Sequence, residues 1–328
     1  MRIRANRDGL SVHAIAGTEV VLFGLDVPQE LAGKLLGFGF ERTDDEAGVT
    51  QPLRGLKTFA ATEAQEHRPD TPVSTLDHPV QAFLWGDYVV EPGHDYTYRV
   101  VAFGGVPERL EPLAEVLVPV QTERPHQGRH SIHFNRGAAA SQAYVRQFGN
   151  RPPDAITGRR AWAWLSRGLG EALTGFIDRA APGDTLRAAV YEFHEPRVLD
   201  AFRRAHDRGV DVRIVMHAKR RAAKDPATGT VTYPPRDRNI AAVETAGIGD
   251  LVIRRETNPS HLARNKFIVH GRSGQPIGVW TGSTNMTGGG IHGHANVGHA
   301  VRDPDVAARF LNYWEQLALD PKGAALKA

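Results

Sequence analysis

The apolar pattern of this 328-residue chain changes near residue 124, and that change limits what the chain can fold into. Before it, short β-prone runs are separated by Pro, Gly and Asp, which is typical of a β-sandwich. After it, apolar runs alternate with segments of helical period, which predicts an α/β layered domain with a mixed central sheet. A chain longer than about 300 residues also exceeds what one hydrophobic core usually supports. We therefore expect two domains, 1–124 and 125–328, with the polar stretch 123–129 as the linker.

Composition excludes several classes of protein. The chain has no cysteine, so disulfides, thiolate metal sites and cysteine nucleophiles are ruled out. With 40 basic and 37 acidic residues, the slight positive excess permits a polyanionic partner. The first apolar stretch is interrupted at Gly17, Thr18 and Glu19, which predicts neither a signal peptide nor a transmembrane segment. We expect a cytoplasmic protein.

The first domain is predicted to be all-β. The runs that predict its strands are VVLFGL (20–25), KTFAA (57–61), VQAFLWGDYVV (80–90), YTYRVVAF (96–103) and AEVLVPV (114–120). Residues 92–100, PGHDYTYRV, resemble the tyrosine-corner strand of fibronectin type III domains, where a tyrosine near the strand start bonds back to the preceding loop. The resemblance implies a fibronectin III-like sandwich.

The second domain alternates predicted strands and helices. Helices are expected at 161–180, from Pro196 to Gly209, at 239–246 and at 304–319, the last capped by Asp303. The expected strands are 130–135, 185–193, 210–216, 251–255, 265–269, 276–281 and 296–301. The strand-plus-turn signature described next occurs once, so no internal repeat is predicted.

The strand at 265–269 directs a lysine toward a cleft. Alternate residues of a strand share a face, so Lys266 and His270 point one way while Phe267 and Val269 point the other. The next strand runs into Gly282-Ser283-Thr284-Asn285, a turn whose serine and asparagine offer short hydrogen-bond donors. A compact positive charge with neutral donors beside it suits a phosphate group.

This pairing of a lysine strand with a Gly-Ser-Thr-Asn turn resembles the phospholipase D superfamily, whose signature is His-x-Lys followed by Gly-Ser-x-Asn. The resemblance covers about 129–319, one repeat of that fold. It implies phosphodiester cleavage through a phosphohistidine, with no cofactor and no metal. Carried over, it assigns phosphate binding to Lys266, donor roles to Ser283 and Asn285, and the histidine position to Arg264.

Two positions depart from the family pattern. Arg264 replaces the histidine, and a guanidinium cannot serve as nucleophile or general acid at ordinary pH. Gly271 stands where the family often has aspartate. Three explanations stay open: an altered position, a degenerate phosphate-binding member, or substitution by a neighbouring histidine. For the last, His261 and His270 are the candidates, although four strand residues place His270 roughly 13 Å from Lys266.

The chain has one copy of the motif, whereas the site of the family needs two motifs that face each other, so the source of the second motif is undecided. We expect a homodimer or pairing with a second phospholipase D-like repeat beyond residue 328. The basic stretch 203–224 and the lack of a membrane-seeking segment favour nucleic acid over phospholipid as the phosphodiester. The alternative function is a non-catalytic phosphate- or nucleic-acid-binding module.

Other polar residues have weaker assignments. Glu192 ends a predicted strand, where it could orient an imidazole, line the pocket or simply face solvent. Asn296 is expected to face the cleft. His292, His294 and His299 permit a zinc site and hence a metal-dependent hydrolase as a third function.

Overall fold

In a computed structural model, the chain forms two compact units, Met1–Gln127 and Gly128–Ala328. The residues that it describes are 1–62, 71–138, 141–220, 222–224, 227, 229, 231–256 and 264–321.

The first unit is built from antiparallel sheets. Its elements are β1 (Arg2–Arg7), β2 (Leu10–Ala16), β3 (Val21–Asp26), the single turn α1 (Gln29–Ala32), β4 (Gly37–Asp44), β5 (Val49–Pro52), β6 (Arg54–Gly55), β7 (Val73–Ser74), β8 (Leu84–Asp87), β9 (Asp95–Val106), β10 (Arg109–Gln121) and β11 (His126–Gln127). One sheet has the order β1–β2–β3–β8 and the other β10–β9–β4–β5. The strand-rich antiparallel architecture confirms that this region is built mainly from β-strands, as predicted.

Alternating burial explains how these two sheets share one core. In β2 the side chains of Leu10, Val12, Ala14 and Ala16 are buried while the residues between them are more exposed. They join one apolar cluster with side chains of the other sheet, including Phe40. Strands with this period of two bury one face and leave the other for water.

Two features of the first unit bear on its predicted family. The Tyr96 hydroxyl accepts a hydrogen bond from the Glu91 N–H at 2.9 Å, the back-bond expected of a tyrosine near a strand start. The prediction of a strand at KTFAA is wrong, because residues 57–59 have no strand pairing and a turn follows them. Their β-propensity is local, whereas a strand also needs a partner.

The second unit alternates helices and strands. Its elements are β12 (His130–Phe134), α2 (Gln142–Phe148), 3₁₀ turns at Pro153–Ala155 and Thr157–Arg159, α3 (Arg160–Ser166), α4 (Leu169–Asp178), β13 (Thr185–Val190), α5 (Pro196–Asp207), β14 (Asp211–His217), β15 (Ala223–Lys224), β16 (Val231–Thr232), α6 (Arg236–Thr245), a 3₁₀ turn at Gly249–Leu251, β17 (Val252–Arg255), β18 (Lys266–Arg272), β19 (Gln275–Gly282), a π-helical turn at Gly289–Gly293, β20 (Val297–Val301) and α7 (Pro304–Ala318).

A mixed sheet in the order β12–β20–β19–β18–β13–β14–β17 forms the centre of this unit. β13, β14 and β17 are parallel to each other, whereas β18 runs antiparallel to β13 and β19. Helices α4 and α5 pack on one face around Ile268, and α7 covers the other around Phe267 and Val269. The predicted alternation along β18 is therefore confirmed, because Phe267 and Val269 anchor the strand opposite the face of Lys266.

Two helix predictions have different outcomes. The helix expected over 161–180 is two helices, because Arg167 and Gly168 both adopt left-handed backbone angles between α3 and α4. The helix after Asp303 is confirmed, and the Asp303 carboxylate caps it by accepting from the N–H groups of Asp305 and Val306. Within the described parts of the chain, every helix is too short or too polar to cross a bilayer.

Candidate functional site

The ends of five neighbouring strands meet at one edge of the sheet in the second unit. Val190, at the end of β13, lies opposite Lys266, where the antiparallel β18 begins, and beside Met216 near the end of β14. On the other side, Gly282 ends β19 opposite Gly298 at the start of β20. Loops that leave strand ends can hold polar side chains on a rigid support, so this edge is the candidate site.

Lys266 and Arg264 place two cations at this edge. Both approach the ring of Tyr191, with Lys266 Nζ and Arg264 Cζ each 5.7 Å from its centroid. Lys266 is partly buried and donates to the Arg264 carbonyl at 2.9 Å. Burial lowers the pKa of Lys266; the Glu192 carboxylate opposes this shift and the Arg264 guanidinium adds to it. The pair can therefore neutralise an anion that enters between them.

The Gly282–Asn285 turn is fixed by the strand beside it. Ser283 N–H donates to the Val297 carbonyl at 3.0 Å, and the Ser283 hydroxyl accepts from Val297 N–H at 3.1 Å. Gly282 has a φ of +136°, and a Cβ there would lie 2.2 Å from the Val297 oxygen. Only glycine fits this close approach, which explains the residue type that opens the turn.

Glu192 faces the same turn. Asn285 Nδ2 donates to Glu192 Oε2, and the main-chain N–H of Met286 donates to the Glu192 carbonyl at 3.2 Å. Asn285 Oδ1 is buried and has no hydrogen-bond partner among the described residues. Glu192 thus contacts the predicted site directly, and its carboxylate competes for the amide hydrogens that a phosphate would use.

Asn296 supports the turn from the other side. It accepts from the Ser283 hydroxyl at 2.8 Å and donates to the Gly290 carbonyl at 2.8 Å. Behind it lies Asn135, which sequence reasoning missed: its Nδ2 donates to the carbonyls of Ile291 and His294, and its Oδ1 accepts from Asn296 N–H at 2.7 Å. An asparagine at the end of a predicted strand was the only signal available.

Two buried residues on the β14 side were also missed. The His217 ring lies 5.2 Å from the Tyr191 ring, and burial lowers the pKa of His217 to about 4, with Lys219 and Arg255 adding to the shift. Asn239 of α6 is fully buried, accepts from Phe193 N–H at 2.8 Å and donates to the carbonyls of Tyr191 and His217. These contacts fix the loops that leave β13 and β14.

The other candidate histidines that the structure describes have partners of their own. His270 is buried at the far end of β18 and bonds Asp184 at 2.8 Å, while His261 lies outside the described residues. His292 packs edge-on against Trp162 and His299 pairs with His130 at 3.0 Å. In the described ranges, no three His, Asp or Glu side chains could share a metal ion, so the histidines at 292, 294 and 299 do not converge.

Four of the eight basic residues in the stretch 203–224 have carboxylate partners within the unit. Arg203 bonds Asp200 at 3.2 Å, Arg204 and Arg208 both lie against Asp178, and Arg213 lies 3.9 Å from Asp211. Neighbouring carboxylates offset these guanidinium charges. Arg264 and Lys266, which lie outside this stretch, supply positive charge at the candidate site.

One family model matches part of the second unit. Residues 173–318 match the family model described as cardiolipin synthase, phospholipase D-like domain. This part of the second unit is therefore similar to phospholipase D-like domains, as the sequence resemblance predicted. No curated protein matches the chain.

Several solved structures are similar to part of the chain. The phospholipase D family member Nuc from Salmonella typhimurium has a TM-score of 0.34 and 24% identity, over 44% of this chain and 84% of that chain. NucT from Helicobacter pylori has a TM-score of 0.34 and 15% identity, over 47% of this chain and 90% of that chain. Polyphosphate kinase from Porphyromonas gingivalis has a TM-score of 0.33 and 14% identity, over 50% of this chain and 25% of that chain.

Proposed function

We propose that the second unit binds a phosphodiester at the edge formed by Lys266, Arg264 and the Ser283–Asn285 turn, and that a nucleic acid supplies it. The observation that carries this proposal is the pair of cations on the Tyr191 ring, together with the Ser283 hydroxyl and the Asn285 amide in the neighbouring turn. The phospholipase D-like match over 173–318 supports a phosphodiester as the ligand class. Arg264 supports binding over cleavage, because its guanidinium holds charge but cannot attack phosphorus.

Binding of a fluorescent oligo-dA, measured by anisotropy, tests this proposal. Lys266→Ala should weaken binding about tenfold, because a charge-assisted contact to a phosphate is lost. Arg309→Ala is the matched control, since it removes an exposed cation from α7, which covers the opposite face of the sheet. Equal losses in the two variants would reject a specific site. Preferential binding to phosphatidylglycerol vesicles would assign the phosphodiester to lipid.

The second candidate function is phosphodiester hydrolysis, which the family match favours. The proposal then is that Arg264→His supplies the missing nucleophile and that two copies of the motif must face each other. Hydrolysis of bis(p-nitrophenyl) phosphate in EDTA, by this variant and not by the unaltered chain, is the expected result. Failure of Arg264→His to turn over substrate, with binding intact, leaves binding alone as the function.

For the first unit, the Tyr96 back-bond and the two antiparallel sheets support our proposal that it is a fibronectin III-like domain that contacts other proteins.

A further inference from the structure

Strand β8 of the first unit has a free edge. It pairs with β3 on one side, and no described strand lies on the other. Leu25 N–H donates to the Phe83 carbonyl at 2.8 Å, so the alternation of antiparallel pairing turns the N–H and C=O groups of Leu84 and Gly86 away from β3. These groups are available to a further strand.

The same edge lacks the charges that usually protect such strands. Asp87 is the only Asp, Glu, Lys, Arg or His in residues 79–90, and it is buried against Arg42 and Tyr98. The exposed large side chains around it are apolar or aromatic: Phe83, Leu84 (63% exposed), Tyr88 (67%) and Val89 (70%). Exposed edges without lysine or glutamate readily accept another strand.

A pocket opens beside this edge. Its volume is about 260 Å³, and Leu84 and Trp85 line it together with Phe59 and His78. Trp85 stacks on Phe40 at 4.4 Å, which holds its ring against the core. Small-molecule sites usually have about 300–1,000 Å³. The pocket is smaller than that range and suits one large side chain of a peptide.

The ionisable groups of the lining define the charge of that peptide. They are Lys57 and His78, and the lining residues that the structure describes include no carboxylate. Phe59 N–H donates to His78 Nδ1 at 3.3 Å, so in the neutral ring Nε2 carries the hydrogen and can donate. An acidic residue beside the apolar anchor would meet complementary charge.

We propose that β8 and this pocket form a docking site for an extended peptide segment of another protein. The peptide adds as a strand to β8, inserts one large apolar side chain between Phe59 and Trp85, and places an acidic residue near Lys57. Strand addition with a side-chain pocket is an established mode of peptide recognition, in which main-chain bonds give affinity and the pocket gives specificity. The proposal is independent of the phosphate site.

Labelled peptides and the full chain test it by fluorescence anisotropy. The probes are acetyl-Glu-Val-Phe-Val-Glu-amide, the same peptide with lysine at both ends, and the acidic peptide with proline replacing both valines. The acidic valine peptide should bind tightest, and proline should abolish binding because it removes main-chain donors. Leu84→Glu should weaken binding about tenfold. Leu117→Glu is the matched control, since Leu117 of β10 is comparably exposed at 55%. Lys57→Glu should reverse the preference between acidic and basic peptides.

Three outcomes would overturn the proposal. They are equal binding by the Leu84→Glu and Leu117→Glu variants, equal binding of the proline peptide, and no peptide binding at all. A dimer that Leu84→Glu dissociates, without peptide binding, would assign the edge to a second copy of the chain instead. Circular dichroism of each variant shows whether the fold is retained.

Discussion

Asn285 donates a hydrogen bond from Nδ2 to Glu192 Oε2, so the amide assigned to a phosphate already has an anionic partner. The Glu192 carboxylate also acts on Lys266, whose charged form it favours. A phosphate that enters the site must therefore displace the Glu192 contact to Asn285 and approach the negative charge of the same carboxylate. Four predictions follow from this geometry and from the residues that support it.

Removing the Glu192 charge should strengthen phosphodiester binding. In Glu192→Gln the repulsion between carboxylate and phosphate is lost and Asn285 gains freedom to turn, so affinity for oligo-dA should rise about threefold. Glu315→Gln, which removes an exposed carboxylate from α7, should leave affinity unchanged. Weaker binding by Glu192→Gln would mean that the carboxylate holds Asn285 in its binding orientation.

As pH rises, the affinity for a phosphodiester should decline at a lower pH than it would if Lys266 had the pKa of an ordinary lysine. Burial lowers the pKa of Lys266, and only its ammonium form attracts the anion, so affinity is present below that pKa and is lost as pH rises through it. Titration of oligo-dA binding between about pH 7 and about pH 10 measures the decline. Lys266→Arg should flatten the profile, because a guanidinium stays charged. A profile that Lys266→Arg leaves unaltered places the titrating group elsewhere.

Asn135→Ala should destabilise the second unit and weaken the site together. The substitution leaves the Ile291 and His294 carbonyls and the Asn296 N–H without their partner, at a cost of about 3 kcal/mol in the free energy of unfolding. Urea denaturation gives the loss. Asn135→Asp retains the acceptor for Asn296 but turns a carboxylate oxygen toward the Ile291 and His294 carbonyls, so it should destabilise the unit at least as much as Asn135→Ala does. A smaller loss for Asn135→Asp would contradict the donor role of the Asn135 amide.

His217 should make the folded state less stable in mild acid. Its pKa falls from 6.5 to about 4 on folding, so the unfolded chain binds the proton first and stability is lost as pH falls from about 6.5 toward about 4. The contribution is on the order of 3 kcal/mol at full extent.

The measurement for His217 is the slope of unfolding free energy against pH. The pKa values of His292 and His299 are also lowered by burial, so the relevant quantity is the difference between the unaltered chain and His217→Gln. The variant should show a shallower slope in this window. Parallel slopes would falsify the assignment.

Local patterns predicted much of the fold and part of the site. The alternation along 266–270 correctly placed Lys266 and Phe267 on opposite faces of the sheet. It could be predicted because the direction of a side chain in a strand is set by its position in that strand alone. The break between α3 and α4 was missed because apolar spacing continues through Arg167 and Gly168, although Gly168 was a signal.

The supporting shell of the site could not be predicted, because its contacts are long-range. Asn135 bonds carbonyls about 155 positions away, and Asn239 bonds Tyr191 from 48 positions away. Neither lies in a motif, and an asparagine in a sequence does not show which chain segments will surround it. The phosphate-site roles of Lys266, Arg264, Ser283 and Asn285 stay predictions that the experiments above address.

Asn239 gives the site one further property. Because a single buried side chain bonds the segments that leave β13 and β14, a movement of Asn239 breaks contacts of both segments at once. Amide hydrogen exchange at Phe193 should therefore report the opening of both loops as one cooperative event. A ligand that immobilises Tyr191 would slow exchange on the β14 side without touching it.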